Sequence, residues 1–331
     1  MWRFLIFLVV VGLVAMGLVF ADYQDTIKQP LNFTNEQRAF TIEKGWSAKR
    51  VAAELEKNGV IDKPNWFYLY ARISKKGTGI KSGEFNISGS PTMPELIDIF
   101  VKGQTVQYSA NIIEGSTFKQ LRARLGGNPH LEQTIAAMSD DEIMAALDLA
   151  GQHPEGLFFS DTYQFPKQTS DLDFLKRANE MLQKVLTEEW ENRQPDLPLA
   201  SAYEALVLAS IVEKETAAPE ERPLIAGVFM SRLRKKMRLQ TDPTVIYGIG
   251  DSYDGNIRKK DLTTDTPYNT YTRAGLPPTP ISMVGREAIH AVMHPDATKN
   301  LFFVSRGDGT HKFSETVEQH NAAVRKYQLK R

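Results

Sequence analysis

The chain is predicted to be α+β: an apolar N-terminal helix, a small α+β module, then a larger, mainly helical α+β region. Three observations predict this. Residues 4–21 form an uncharged apolar run, short strand and helix signals alternate through residues 38–106, and longer segments of helical period follow residue 107. At 331 residues the chain exceeds what one compact core usually takes, so two soluble regions plus an appendage are expected.

Phe4 to Ala21 carries no charge and no polar face, unlike a helix that packs on a soluble core. Its eighteen residues, at a rise of about 1.5 Å each, reach roughly 27 Å, enough for a thin bilayer core. Residues 1–21 therefore read as a transmembrane anchor. Val19-Phe20-Ala21 before Asp22 resembles a cleavage site, so a removable signal peptide is the alternative, which the length disfavours. Arg3 and the start amine mark the cytoplasmic end, placing the rest outside the cytoplasm as a single-pass inner-membrane protein. Residues 22–37 are polar, contain Pro30 and read as a tether.

Residues 38–106 make up the small module. A strand is expected at Ala39–Ile42, and Ser47 can cap a helix that buries Val51 and Leu55 and ends near Asn58-Gly59. A second helix follows Pro64, and Gly83–Ile87 reads as a strand. Thr92 with Glu95 has the spacing of a capping box, opening a helix through Leu96, Ile99 and Phe100.

Residues 107–331 open with a strand at Gln107–Ile113 and continue with helices near Phe118–Leu125, Asp140–Ala150, Asp171–Asn192, Tyr203–Thr216 and Glu221–Lys235. Gly275-Leu276-Pro277-Pro278 is a stiff turn, and a helix near Gly285–Met293 follows. Strands at Leu301–Ser305 and His311–Phe313 flank Gly307-Asp308-Gly309, a hairpin signal.

Composition removes several chemistries. Lys+Arg and Asp+Glu both number 40, so the net charge of zero lacks the attraction to nucleic acid that a basic protein has. With no cysteine there is no thiolate metal site and no Cys nucleophile. No Gly-rich phosphate loop, His-Glu-x-x-His run or Gly-x-Ser-x-Gly elbow occurs. His290 and His294 have helical i, i+4 spacing, but Pro295 follows directly, and neither a metal site nor a cofactor is predicted.

The segment 206–250 carries the candidate chemistry. Residues three, four and seven apart share a helix face. Behind Glu215 that face holds Val212, Ile211 and Leu208, whereas behind Glu213 it holds Ser210, Ala209 and Leu206. A carboxyl group in apolar surroundings keeps its proton to higher pH, and the C-terminal end of a helix dipole acts in the same direction. Glu215 thus suits a general acid, and Glu213 suits pairing with a base. The bland alternative for Glu215 is an ordinary surface ion pair. Arg238 to Gly248 gathers Gln240, Thr241, Asp242 and Tyr247, and Tyr268, Asn269 and Tyr271 follow, polar and aromatic groups of the kind that bind sugars. Each alone is also consistent with a turn or a cap beside Pro243 and Pro267.

Together the blocks Ala209-Ser210-Ile211-Val212-Glu213-Lys214-Glu215-Thr216, Val228-Phe229-Met230-Ser231-Arg232-Leu233, Met237 to Gly248, and Tyr268-Asn269-Thr270-Tyr271 closely resemble the endolytic murein transglycosylases of the YceG-like family. The resemblance implies a LysM-like small module and a catalytic domain with lysozyme-like features. It implies that Glu215, the second glutamate of the Glu-Lys-Glu-Thr block, is the catalytic residue. The implied reaction cuts peptidoglycan glycan strands between N-acetylmuramic acid and N-acetylglucosamine and leaves 1,6-anhydro ends, ending nascent strands beside membrane peptidoglycan synthases. Gln240 and the Tyr268-Asn269 pair are similar in position to substrate-facing residues of lysozyme-like transglycosylases. Two other readings stay open: a muramidase-type hydrolase with Asp242 as its second carboxylate, and a non-catalytic wall-binding scaffold.

Overall fold

The computed structural model describes residues 2–31 and 38–329. The chain forms two compact units, one of Met1–Tyr108 with Gln164–Thr169, the other of Ser109–Tyr163 with Ser170–Arg331.

The first unit begins with helix α1 (Trp2–Lys28), 27 residues with no buried side chain and long and apolar enough to cross a membrane. It runs seven residues past the expected anchor boundary, so residues 22–28 are helix rather than tether. The cause is packing that the local sequence does not announce. Asp22 accepts hydrogen bonds from Lys63 Nζ (2.5 Å) and Trp66 Nε1 (2.9 Å), and Tyr23 meets the Trp66 ring edge-on at 5.3 Å. The remaining tether residues 32–37 lie outside the described residues.

Next come β1 (Arg38–Ile42), α2 (Ala48–Lys57), α3 (Pro64–Ile73), β2 (Gly83–Ile87) and α4 (Met93–Lys102). The two strands pair antiparallel with Phe40 opposite Phe85. Their inner faces and the helices bury Phe40, Leu55, Phe67, Phe85, Leu96 and Phe100, the last meeting Phe85 edge-on at 4.8 Å. Capping fixes the helix starts. Ser47 Oγ accepts from the Arg50 amide, and Glu95 accepts from the Thr92 amide at 2.7 Å.

The chain continues with β3 (Gln107–Asn111), α5 (Phe118–Gly126), β4 (Leu131–Glu132), α6 (Asp140–Ala146), β5 (Thr162–Pro166), β6 (Thr169–Ser170) and α7 (Asp171–Glu191). Ser170 caps α7 by accepting from the Asp173 amide at 2.9 Å. Then follow α8 (Ala202–Glu215), α9 (Arg222–Arg234), α10 (Asp242–Ile249), α11 (Lys259–Thr263), α12 (Arg286–Met293), β7 (Phe302–Ser305), β8 (His311–Ser314) and α13 (Val317–Tyr327).

Helix α8 is the axis of the second unit and packs on α7, α9, α10 and α12. Every residue from Ala205 to Val212, Ser210 included, is buried, so the helix is enclosed on all sides. The apolar stripe behind Glu215 and the more polar face behind Glu213 therefore do not differ in burial: both glutamates emerge from the same core. Strands β7 and β8 form the expected hairpin, with Phe303 opposite Phe313 and the turn glycines Gly307 and Gly309 at positive φ. Helix α13, capped by Thr316, packs across this hairpin.

Candidate active site

Glu215 is the last residue of α8, where Thr216 turns the backbone extended and ends the helix. Its carboxyl group lines a cleft of about 480 Å³ together with Arg232, Gln240, Thr241, Asp242 and Tyr271. Phe302, His311 and His320, from the hairpin and α13, line the same cleft.

Burial pushes the Glu215 carboxyl up to about 7, because a carboxylate loses hydration there. The Thr241 hydroxyl donates to Glu215 Oε1 and opposes this shift, the Asp242 charge adds to it, and the Arg232 charge opposes it. The group thus sits at the midpoint of its titration near neutral pH, where a carboxyl can give up a proton and later take one back.

Thr241 is itself held in place. Its amide donates to Thr270 Oγ1 at 3.1 Å, its carbonyl accepts from Thr244 Oγ1 at 2.7 Å, and the Thr244 and Thr270 hydroxyls meet at 2.8 Å. All three threonines are buried. Gln240, just before, takes the left-handed φ of 47°, with its amide on the Thr270 carbonyl at 3.2 Å and its side chain exposed. Asp242 is exposed, and its Oδ1 accepts from the Tyr271 hydroxyl at 2.6 Å. Gln240, Thr241, Asp242 and Tyr271 are thus brought to Glu215.

Glu213 has a different setting. Its side chain is 3% exposed and accepts from Arg222 Nη2 at 2.9 Å and from the Gly285 amide at 3.1 Å. Burial raises its pKa as well. The partner, not the helix face, separates the two glutamates: Glu213 meets a buried guanidinium and Glu215 a neutral hydroxyl.

Three residues expected at the substrate lie elsewhere. Asn269 is 1% exposed, and its amide donates to the carbonyls of Asp261 (3.0 Å) and Thr264 (2.7 Å) while its Oδ1 accepts from the Tyr271 amide (2.9 Å). It ties down the loop that carries Tyr271 and, being buried, presents no face to a sugar. Tyr247 and Tyr268 pack edge-on at 4.7 Å. Tyr247 lies beside Glu155, and Tyr268 shares a 2.8 Å hydrogen bond with Thr279. Neither tyrosine lines the cleft.

Two buried ionisable residues, Arg232 and Glu155, were not singled out from the sequence. Arg232 is buried in the cleft wall. It donates to the carbonyls of Leu301 (2.6 Å), Arg238 (3.1 Å) and Leu239 (2.8 Å), and its guanidinium lies 5.1 Å from the Phe302 ring centroid. Its signal was an arginine four residues after Val228 on a helix otherwise apolar at that face. Glu155 is buried in a loop, accepts from the Phe118 amide at 2.9 Å and is pushed up to about 7 by burial. Nothing local marked it.

Away from the cleft, Glu189, His290 and His294 bring candidate ligand atoms within 4.8 Å of one another. Glu189 is already met by Arg286 Nη1 at 2.9 Å and His290 Nδ1 at 2.8 Å, contacts that join α7 to α12.

A family model described as the YceG-like family matches residues 40–326. The chain belongs to the YceG-like family. A family relative from Bacillus subtilis (strain 168), named endolytic murein transglycosylase, is 31% identical over 308 residues, covering 86% of this chain and 83% of its own length. A protein of the same name from Streptococcus pneumoniae serotype 2 (strain D39) is 26% identical over 355 residues and covers 96% of this chain. The chain spans 64% of that streptococcal relative's length. The crystal structure of a yceG-like protein from Listeria monocytogenes superposes with a TM-score of 0.56 at 30% identity, over 88% of this chain and all of that one.

Proposed function

We propose that this YceG-like protein is an endolytic murein transglycosylase in which Glu215 alone serves as acid and then base. The observation that carries the reading is a carboxyl group held near pKa 7 in an open cleft, with a neutral hydroxyl as its direct partner. Relatives that cover most of the chain bear the name of that activity.

In the proposed mechanism protonated Glu215 gives its proton to the glycosidic oxygen between N-acetylmuramic acid and N-acetylglucosamine. The carboxylate left behind is favoured by the Thr241 hydroxyl and by the Arg232 charge. It then takes the proton from the C6 hydroxyl of the muramoyl sugar as that oxygen bonds to C1. The product is a 1,6-anhydro ring, and no water is added. Ordinary glycosidases need two carboxyl groups; here the substrate brings its own nucleophile, so one suffices. Gln240, Asp242 and Tyr271 line the cleft and are proposed to contact the glycan.

The first unit supports a LysM-like role in holding glycan. Its order is strand, helix, helix, strand, and a groove of about 620 Å³ runs beside Trp46, Ser47, Tyr68 and Thr78. With α1 as a single-pass anchor in the cytoplasmic membrane, the catalytic unit would lie on the periplasmic side, where its substrate is, ending nascent strands beside membrane peptidoglycan synthases.

The test is mass spectrometry of purified glycan strands digested by the full-length protein. Anhydromuramoyl ends are expected. New reducing ends carrying one added water would instead support the muramidase reading, in which Asp242 is the second carboxylate. No cleavage at all would leave a wall-binding scaffold.

A further inference from the structure

Glu221 ends the turn Pro219–Glu221 that links α8 to α9, six residues after Glu215. Its carboxylate grips one residue of β8 twice: Oε1 accepts from the His311 amide at 2.8 Å and Oε2 from His311 Nδ1 at 2.7 Å. The Phe303 ring meets the imidazole at 87° and 5.4 Å. The His311 side chain is 10% exposed, and it lines the cleft that holds Glu215. Position and tautomer are thereby set. A carboxylate at Nδ1 keeps the ring proton there, and in the neutral imidazole the second nitrogen, Nε2, is an acceptor.

His320 of α13 lines the same cleft. Its ring stacks on Phe302 at 5.3 Å, and its buried Nδ1 has no hydrogen-bond partner among the described residues. A buried polar nitrogen without a partner is costly. Two imidazoles, one clamped and one unsatisfied, thus stand on the wall built by the hairpin and α13.

We infer that this wall is a saccharide subsite in which His311 Nε2, orientated by Glu221, accepts a hydrogen bond from a hydroxyl of the glycan lying across Glu215. The ligand class is a neutral pyranose, recognised by an acceptor of fixed direction. Glu221 is a positioning residue that acts through His311. The inference rests on the cleft being the glycan-cleaving site, and it adds the residue that seats the sugar there. A purely structural His311 would only pin β8 to the turn after α8, and the two roles part at Nε2.

The substitution His311→Asn separates them, because an asparagine amide can still donate to Glu221 where Nδ1 did but has nothing at Nε2. His311→Gln does the reverse, putting an amide oxygen near the Nε2 position. With the full-length chain and purified glycan strands, His311→Asn is expected to raise KM about tenfold, with kcat within about twofold and the thermal unfolding midpoint unchanged. His311→Gln should keep most of the wild-type KM. In a Glu215→Gln background, which removes turnover, His311→Asn should weaken direct strand binding by the same factor. The inference is overturned if His311→Asn leaves KM and binding unchanged, or if both variants lose binding in step with a fallen unfolding midpoint. If the wild-type protein cleaves nothing, the transglycosylase reading fails, while binding to the Glu215→Gln chain still decides the subsite.

Discussion

Thr241 donates its hydroxyl proton to Oε1 of Glu215 from a backbone fastened by two further buried threonines, Thr244 and Thr270. A carboxyl group buried at the end of this helix keeps its proton to higher pH. The hydroxyl limits that shift, and it is placed to steady the carboxylate once the proton has left.

Replacing Thr241 by Val removes the donor and keeps the shape. The ionised form of Glu215 loses its partner, so its pKa rises above 7. Activity that needs the protonated acid falls as pH rises through that pKa, and the alkaline limb should move up by about one pH unit. A pH profile of kcat/KM checks this; a limb that stays in place would mean that Thr241 does not act on the acid.

Arg222→Ala should unfold the protein more readily without touching the cleft. It strands Glu213, whose side chain is 3% exposed, beside the Gly285 amide as its remaining donor among the described residues. Breaking a buried pair from one side costs about 3–5 kcal/mol. Denaturant titration should show that loss, and the double replacement Arg222→Met with Glu213→Leu should recover much of it.

Helix starts were legible because capping is local: Ser47 and Ser170 each accept from an amide three residues on, and the Thr92 amide donates to the Glu95 carboxylate. Glu215 was legible for a reason the structure revises. Its burial comes from a helix enclosed on every side, and Glu213 shares it. Glu155 was hidden because its partner, Phe118, lies tens of residues away, as does Leu301, one of the three carbonyls that hold Arg232. The Tyr268-Asn269 pair shows the converse: residue types suited to sugar were read from the chain, but their direction depends on which carbonyls the loop turns inward.

Glu155 makes stability depend on pH. Its ordinary value is 4.5 and its folded value about 7. Between these the folded state binds the extra proton, so stability is full below about pH 4.5 and is lost as pH rises through 7. The whole shift corresponds to about 3 kcal/mol. Glu155→Gln, whose amide oxygen still accepts from Phe118, should be more stable than wild type at pH 8 and no more stable at pH 4. Unfolding free energies at the two pH values test the sign.

The most direct measurement of the central claim compares purified full-length wild type, Glu215→Gln and Asp242→Asn on intact glycan strands, following chain scission by mass spectrometry. With Glu215 as sole acid and base, Glu215→Gln should lower the rate by at least about a thousandfold while the unfolding midpoint stays at or above wild type. Asp242→Asn should still leave anhydromuramoyl ends. Scission by Glu215→Gln at the wild-type rate, or its abolition in Asp242→Asn with the fold intact, would contradict the account.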